Sequence, residues 1–257
     1  MVQTYRAAIL IIGNEILSGR TQDTNTSWIA TKLSERGIEL FEVRVVPDIE
    51  DRIITAVNEL RGRVDYLFTT GGIGPTHDDI TSATMAKLFQ RDLALNPQAR
   101  TMLLNHYKAE SELTPARLRM AHIPQGARLI PNPISGAPGF QIENVYVMAG
   151  VPSIMKCMLD HILPELKGGD PILCNSVTFD LAESVIAEEL GELQKIHPQV
   201  SIGSYPYLRA GEVGVSIVLR SPDNDPLHRA SLDVINMIER SGGKIHAASL
   251  QSAGPRT

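Results

Sequence analysis

The chain has 257 residues, of which 43% are hydrophobic and 21% charged, with a formal net charge of −5. This length and composition provide for a large core, or for one main domain with a smaller companion. The net negative charge and the scattered Lys and Arg residues exclude a sequence-independent nucleic-acid surface. Two cysteines are too few for a disulfide scaffold, and this low cysteine count favours a reducing cytoplasm.

Three strand-helix units are predicted in the first part of the chain. The apolar run 7–12 contains several β-branched residues and predicts a buried strand. It is too short to span a bilayer. A helical pattern follows and stops at Gly37. A second strand at 40–46 and a third at 65–70 are likewise each followed by a helical pattern. The repetition predicts a parallel sheet with helices on both faces.

A second, smaller domain is predicted beyond a linker at 168–171. A fourth strand with its helix completes the first domain, which is assigned to residues 1–168. The order strand, helix, strand, strand, helix and a last strand near 244–247 is typical of a ferredoxin-like α+β domain, assigned to 172–248. Residues 249–257 have no periodicity and are predicted to form a flexible tail.

Polar residues and glycines follow each predicted strand of the first domain. They are Glu15, Ser18, Asp23 and Asn25 after the first strand, Asp48 after the second, the segment 71–79 after the third, and Gly150 and Pro152 after the fourth. In an open parallel sheet, ligands bind outside the carboxyl ends of the strands. We therefore expect these four loops to meet at one rim.

The third loop, residues 71–79, has the strongest chemical pattern. Its closely spaced glycines allow backbone N–H groups to converge on an anion, and the helix that follows adds its positive N-terminal end. A phosphate is the expected ligand. Asp78 and Asp79 beside it indicate a divalent cation that bridges carboxylate and phosphate oxygens. The alternative is that one aspartate caps the helix and the glycines form an ordinary turn.

For the aspartate and asparagine residues of the other loops, a role as a helix cap is likewise an alternative to a role in ligand binding. Asp48 follows Pro47 and opens a helix, so it fits an N-cap as well as a site residue. Asp23 and Asn25 either cap the next helix or hold a ribose or a pterin by side-chain hydrogen bonds. His77 receives no catalytic role, because a lone histidine in a loop seldom has one.

Several motifs occur in the order found in a known family. They are GNEILSG at 13–19, DTN at 23–25, VPD at 46–48, GGIGPTHDDIT at 71–81, NP at 132–133, GAPG at 136–139 and GVP at 150–152. This series resembles the CinA (competence/damage-inducible protein A) family, which contains the MoaB/Mog-type molybdopterin-binding domain. The resemblance covers about residues 6–166. It is far more specific than a single glycine loop.

A narrower likeness concerns animal FAD synthases. GRTQDTNT at 19–26 and the THDD form of the third loop are similar to their N-terminal domain, and SIGSYP at 201–206 resembles the region that follows it. Neither a synthetase domain nor the C-terminal amidase domain of longer CinA proteins is found in the sequence. The resemblance therefore predicts a stand-alone version.

The resemblance implies a three-layer α/β/α MoaB/Mog-like domain with a mainly parallel sheet, joined to the small ferredoxin-like domain. In the molybdopterin-handling relatives, aspartates that match Asp48 and Asp79 are associated with pterin adenylylation or metal insertion. In CinA and FAD-synthase relatives, the domain is associated with metal-dependent hydrolysis of a nucleotide pyrophosphate such as ADP-ribose or FAD. The fold by itself does not choose between these functions.

We predict a nucleotide pyrophosphatase that uses Mg²⁺, Mn²⁺ or Co²⁺, with Asp48 and Asp79 as catalytic residues and Asp78 and Asp79 as metal ligands. The residues predicted to bind the substrate or its phosphate are Glu15, Ser18, Asp23, Asn25, Gly71, Gly72, Gly74, Pro75, Thr76, Asn132 and Gly136. The alternatives are a molybdopterin-binding protein of molybdenum cofactor biosynthesis and a non-catalytic nucleotide-binding module. The expected partners are a small nucleotide or pterin and further copies of the chain, as a dimer or trimer, with neither nucleic acid nor membrane.

Overall fold

A computed structural model describes residues 5–209 and 212–250 of the chain. The chain divides between Gly169 and Asp170 into two compact units, each with its own hydrophobic core. Most of the predicted tail, from residue 251 onwards, lies outside the described residues. The two units are considered separately below.

The first unit alternates strands and helices along most of its length. Its elements are β1 (Tyr5–Ile12), α1 (Asn14–Leu17), α2 (Asn25–Ser34), β2 (Ile38–Val46), α3 (Glu50–Arg61), β3 (Tyr66–Thr70), α4 (Thr81–Leu88), β4 (Leu93–Leu95), α5 (Pro97–Tyr107), α6 (Pro115–Arg119), β5 (His122–Pro124), β6 (Arg128–Ile130), β7 (Gly139–Ile142), β8 (Val145–Met148) and α7 (Pro152–Ile162). Short 3₁₀ helices lie at Glu110–Glu112 and Leu163–Glu165.

Six strands form the main sheet in the order β2-β1-β3-β8-β7-β6. The pairs β2–β1, β1–β3 and β3–β8 are parallel, whereas β8–β7 and β7–β6 are antiparallel. The prediction of a mainly parallel sheet is confirmed. Sequence analysis did not predict β6 and β7, because these short strands lack the continuous apolar run that marks the equally short β8.

The central strand β1 shows why this sheet lies between two helical layers. Residues 7–12 are all buried, as expected for a parallel strand covered on both faces. Leu10 and Ile12 pack in the core on the side of α3, while Ile9 and Ile11 pack on the side of α2 and α7. This alternation follows from the two-residue period of a strand and produces the three-layer α/β/α fold.

The strand order also places the site. The chain passes from β1 outwards to β2 and then returns to the other side of β1 to form β3, so the order reverses between β1 and β3. Ligands of open α/β sheets bind at such a reversal, outside the carboxyl ends of the strands. The loops after Ile12, Val46, Thr70 and Met148 therefore open at the same edge.

The second unit is built from β9 (Leu173–Phe179), α8 (Glu183–Ile196), β10 (Ser201–Arg209), β11 (Glu212–Ser221), α9 (Asn224–Arg240) and β12 (Ile245–Ser249). Its antiparallel sheet has the order β10-β11-β9-β12, as in ferredoxin-like domains. The predicted order of elements agrees with this, although the last strand ends at Ser249, inside the predicted tail. Among the described residues, no helix has both the length and the apolar character needed to cross a membrane.

Candidate functional site

A cleft of about 480 Å³ lies at the carboxyl edge of the parallel sheet. Its walls come from the loops after β1, β3 and β8 and from the turn at 132–137. The predicted site residues that line it are Glu15, Gly71, Gly72, Gly74, Pro75, Asp79 and Asn132. The remaining predicted residues, Ser18, Asp23, Asn25, Asp48, Thr76, Asp78 and Gly136, lie outside this lining.

The first two glycines of the third loop are required by close packing. Gly71 and Gly72 have φ angles of 105° and 69°, which favour glycine. A Cβ atom on Gly71 would lie 2.1 Å from the carbonyl oxygen of Ile12, and one on Gly72 would lie 2.1 Å from Oγ1 of Thr81. The Thr81 hydroxyl in turn donates to the carbonyl oxygen of Gly71 at 3.0 Å, which fixes the loop to α4.

The same loop presents unused hydrogen-bond donors. Within the described part of the chain, the backbone N–H groups of Gly72, Ile73 and Gly74 donate to no protein acceptor. All three residues line the cleft. Successive free amides in a glycine-rich loop form a concave site for an anion, because no side chain screens the N–H dipoles. The arrangement fits the phosphate site expected from the sequence.

Asp79 lies beside these amides and stabilises the loop from within. One carboxylate oxygen accepts hydrogen bonds from the backbone N–H of Thr76 at 2.8 Å and from the Thr76 hydroxyl. The N-cap residue of α4 is Ile80, and no side chain caps this helix. The alternative interpretation, in which Asp78 or Asp79 caps α4, is therefore wrong.

Asp78 occupies a different position from Asp79. Its side chain is 62% exposed, and the Nδ1 atom of the neighbouring His77 is 4.0 Å away. Hydrogen bonding from Thr76, then from the Asp78 backbone, together with the charge of His77, lowers the pKa of Asp78 below its ordinary value. Asp78 thus lies outside the cleft as a charged surface residue.

Asp48 joins the second loop to the first. One of its carboxylate oxygens accepts the backbone N–H of Asn14 at 2.9 Å. The N-cap position of α3 is Ile49, and no side chain caps this helix, so the expected alternative role of Asp48 as an N-cap is wrong. Asp48 instead stabilises the turn that carries Glu15.

Glu15 is the acidic residue of the first loop that reaches the cleft. A Cβ atom on Gly13 would lie 2.5 Å from the Glu15 carboxylate, so this glycine leaves room for that side chain. The Ser18 hydroxyl and the Thr21 amide both donate to the Glu15 carbonyl oxygen, at 3.3 and 3.0 Å. These bonds give Ser18 a structural contact within the loop.

Asp23 and Asn25 have different contacts in the structure: Asp23 binds backbone amides at the start of α2, and Asn25 binds a carbonyl oxygen of the fourth loop. Asp23 accepts the backbone amides of Asn25 and Thr26 at 2.9 and 3.3 Å, and thereby serves the first amides of α2 in the manner of a cap. Asn25 is 7% exposed, and its Nδ2 atom donates to the carbonyl oxygen of Gly150 at 2.7 Å. Asn25 therefore connects the first loop to the fourth.

Asn132 and Gly136 shape one wall of the cleft. The Asn132 side chain accepts the amides of Ile134 and Ser135 and donates to Ser135 Oγ and to the carbonyl oxygen of Ala137. Gly136 has a φ of 74°, and a Cβ atom there would lie 2.5 Å from the Cβ of His106. The Asn132 amide is thus used within the turn, while Gly136 lets the turn approach α5.

Sequence analysis missed an apolar wall of the cleft. Its members include Ile73, Met120, Val151 and Ile154. Ile73 and Val151 lie inside the motifs at 71–81 and 150–152, so the sequence indicated that they are near the site. Met120 follows α6, where no motif occurs, and only the tertiary structure brings it to the cleft. The lining of the cleft therefore combines backbone amides and carboxylates with apolar side chains.

The described residues contain no group of three or more His, Cys, Asp or Glu side chains placed to hold a metal ion. Glu15 and Asp79 are the carboxylates in the cleft lining. Mg²⁺ commonly binds through one or two carboxylates together with substrate phosphates. The metal ion between Asp78 and Asp79 stays a prediction.

Both units are similar to known protein families. Residues 8–168 match the family described as "Probable molybdopterin binding domain". Residues 171–243 match the family described as "FAD synthase, middle domain". The two matches follow each other along the chain and meet near the division between the two units.

Individual relatives agree with these matches. A protein of Caldivirga maquilingensis is 37% identical over 209 residues, which cover 78% of this chain and 81% of that protein. A CinA-like protein of Desulfosudis oleivorans is 36% identical over 230 residues, covering 85% of this chain and 55% of that protein. This chain thus spans about half the length of that CinA-like relative. The crystal structure of the protein CinA from Thermoplasma acidophilum, described as of unknown function, has 35% identity and a TM-score of 0.59, covering 63% of this chain and 98% of that one.

Proposed function

The chain belongs to the family described as "Probable molybdopterin binding domain", and from this premise we propose that its cleft binds a nucleotide pyrophosphate and hydrolyses it with a divalent cation. The observation that carries the proposal is the meeting of free backbone amides with two carboxylates in one cleft. Gly72, Ile73 and Gly74 supply the amides, and Glu15 and Asp79 supply the carboxylates. Amides alone favour an anion, whereas carboxylates beside them favour a cation that is bound with it.

The apolar wall supports a ligand with a planar ring. Met120, Val151 and Ile154 line the cleft, and such side chains bind rings by burying apolar surface. A nucleotide offers a ring at one end and phosphates at the other. Both sides of the cleft are then used by the same molecule.

The second unit favours a flavin or adenine nucleotide over a pterin. Its residues 171–243 match the middle domain of FAD synthase, directly after the domain that holds the cleft. The order of the two domains therefore associates this cleft with FAD. We propose FAD or ADP-ribose as the substrate, with AMP and a second phosphate monoester as products.

The residues of this chain have separable roles in the proposed reaction. The free amides of the third loop bind the phosphate and stabilise the charge that develops on its oxygens. Glu15 and Asp79 would hold the divalent cation, which polarises the phosphate and lowers the pKa of water when bound. Water attacks one phosphorus and releases its proton to the solvent, while the bond from that phosphorus to the bridging oxygen breaks and the second phosphate monoester leaves. Asp48 stabilises the turn that presents Glu15, and its assignment as a catalytic residue stays a prediction.

The Asp79→Asn variant tests the proposal. Asparagine keeps an oxygen that accepts the Thr76 amide, so the loop is preserved, while the negative charge is lost. We expect the rate of AMP release from FAD or ADP-ribose with Mg²⁺, Mn²⁺ or Co²⁺ to fall by at least about 100-fold. Asp78→Asn is the matched control, because its side chain lies outside the cleft lining, and a much smaller loss is expected.

The wild-type protein provides the decisive outcome. If it releases no AMP with any of these cations, under conditions in which a homologue is active, the hydrolase proposal is overturned. Saturable nucleotide binding without product would then assign the cleft to a binding module. In that case Asp79→Asn changes the affinity and has no rate to lower.

A molybdopterin-binding function is the second candidate, because the family match over residues 8–168 carries that description. The same amides would bind the pterin phosphate, and the apolar wall would cover the pterin ring. This candidate predicts tight binding of molybdopterin and a growth defect of a deletion strain under conditions that require molybdoenzymes. Absence of both results removes it.

A further inference from the structure

A small side pocket opens next to the main cleft. It has a volume of about 50 Å³ and is bounded by the end of β1, the segment from Thr21 to Asn25, Thr70 and Gly150. Glu15 and Gly150 belong to the walls of both the cleft and this pocket, which we call the Asn25 pocket. A water molecule occupies about 30 Å³ in the liquid, so the pocket accommodates one or two small polar groups and excludes a ring.

The side chain of Asn25 has a fixed orientation at this pocket. Its Nδ2 atom donates to the carbonyl oxygen of Gly150 at 2.7 Å, and a carbonyl oxygen accepts only from a donor. The amide therefore cannot be reversed. Its Oδ1 atom is buried and, within the described residues, has no hydrogen-bond partner. Asn25 as a whole is 7% exposed, so bulk water does not readily satisfy this oxygen.

An unpaired buried acceptor at the wall of a pocket is matched by a hydrogen-bond donor, which a bound group or a water molecule supplies. The neighbouring Glu15 carboxylate is also an acceptor, and Asp23 already accepts two backbone amides. A phosphate or a carboxylate of the ligand brings acceptors only, so neither would pair with Asn25 Oδ1. A hydroxyl or an N–H group would. The pocket thus selects a donor and rejects an anion.

The position of the pocket favours hydroxyl groups close to the phosphate. Gly150, which binds Asn25, lies against Gly71, since a Cβ atom on Gly150 would be 3.4 Å from the Cα of Gly71. The Asn25 pocket and the free amides of the third loop are therefore neighbours. In a nucleotide, the ribose hydroxyls lie one sugar ring from the 5′-phosphate, whereas the amino and imide groups of the base lie at the far end.

We infer that the Asn25 pocket binds a ribose hydroxyl of the nucleotide, with Asn25 Oδ1 as the acceptor. The inference rests on the proposed function, because it places the 5′-phosphate of the same nucleotide on the third loop. The subsite predicts that the cleft binds a ribonucleotide more tightly than the corresponding deoxyribonucleotide. It also separates a nucleotide from a pterin, which carries no ribose.

Binding of three nucleotides to the complete wild-type chain tests this subsite. Isothermal titration calorimetry with AMP, 2′-deoxy-AMP and 3′-deoxy-AMP measures the contribution of each hydroxyl to the Kd. We expect at least one deoxynucleotide to bind about 10-fold more weakly than AMP, since it leaves a buried acceptor unpaired. If both deoxynucleotides bind as tightly as AMP, the subsite is overturned while the proposed cleft stands. If none of the three binds, the subsite is overturned, and AMP release from FAD or ADP-ribose decides the proposed function separately.

Two variants distinguish recognition from a structural role of Asn25. Asn25→Ala removes the acceptor and the bond to Gly150, and we expect it to bind AMP and its deoxy forms with the same affinity. Asn25→Asp also lacks the donor to Gly150 but retains an acceptor, and the preference for AMP should persist. If both variants lose the preference equally, Asn25 acts only by holding Gly150. Should either variant fail to fold, the wild-type series alone decides.

Discussion

Single residues of the third loop are constrained by contacts that their neighbours in sequence do not reveal. Gly71 and Gly62 both lie near the end of an element, yet their surroundings differ. Gly71 has a φ of 105° and packs against the Ile12 carbonyl, whereas Gly62 has a φ of −81° and open space around its Cα. Residue type alone therefore does not tell which glycine the fold requires.

The Gly71→Ala variant is expected to lose at least about 2 kcal/mol of unfolding free energy, because the added Cβ meets the Ile12 carbonyl and a positive φ strains alanine. Gly62→Ala is the control and should change stability by no more than about 1 kcal/mol, in the stabilising direction if at all. Denaturant unfolding measures both. Equal stabilities of the two variants would contradict the close approach of β1 and the third loop.

At the scale of elements, helix periodicity and strand runs were sufficient to predict the parallel strands and the helices that follow them, but not α5, which lies at Pro97–Tyr107. The ends of the elements were less predictable. An aspartate before a helix suits both an N-cap and a ligand, and the structure shows that Asp48 and Asp79 accept amides from the loops instead. Capping depends on a φ/ψ combination at one residue, which composition does not determine.

Helix α8 contains a glycine that the fold does not require. Gly191 lies within Glu183–Ile196, and a Cβ atom there would meet nothing within 4 Å. We expect Gly191→Ala to raise the stability of the second unit by about 0.5–1 kcal/mol, because alanine loses less backbone entropy in a helix. Thermal unfolding followed by circular dichroism measures the change.

Gly242→Ala provides the matched comparison in the same unit. Its surroundings are equally open, but its φ is 79°, so an alanine should destabilise the unit by about 1 kcal/mol. A loss of stability in Gly191→Ala, or a gain in Gly242→Ala, would contradict the backbone conformations described for these positions.

For the whole molecule, the main feature is the separation of its cores. The clusters around the six-stranded sheet draw their buried residues from the first unit, and the cluster of the second unit draws only on residues from Val177 onwards. The lining of the cleft comes from the first unit as well. A unit with its own core contains most of the apolar contacts that it needs to fold.

We therefore expect a fragment of residues 1–169 to fold by itself. It should give the far-ultraviolet circular dichroism of an α/β protein and unfold in one cooperative thermal transition. A fragment of residues 170–257 serves as the comparison for the second unit. A fragment 1–169 that is unfolded in isolation, although the complete chain is stable, would contradict an independent core.

The sequence by itself determined the mainly parallel sheet, the small second domain and the edge of the sheet at which the loops open, because these depend on local periodicity and on the common direction of parallel strands. Only the tertiary structure decided what the polar side chains of those loops contact. Asn14 and Asp48 are 34 residues apart, and Asn25 and Gly150 are 125 apart, yet each pair is joined by a hydrogen bond. The physical reason is that such a bond needs two atoms within about 3 Å, and packing of distant segments sets that distance.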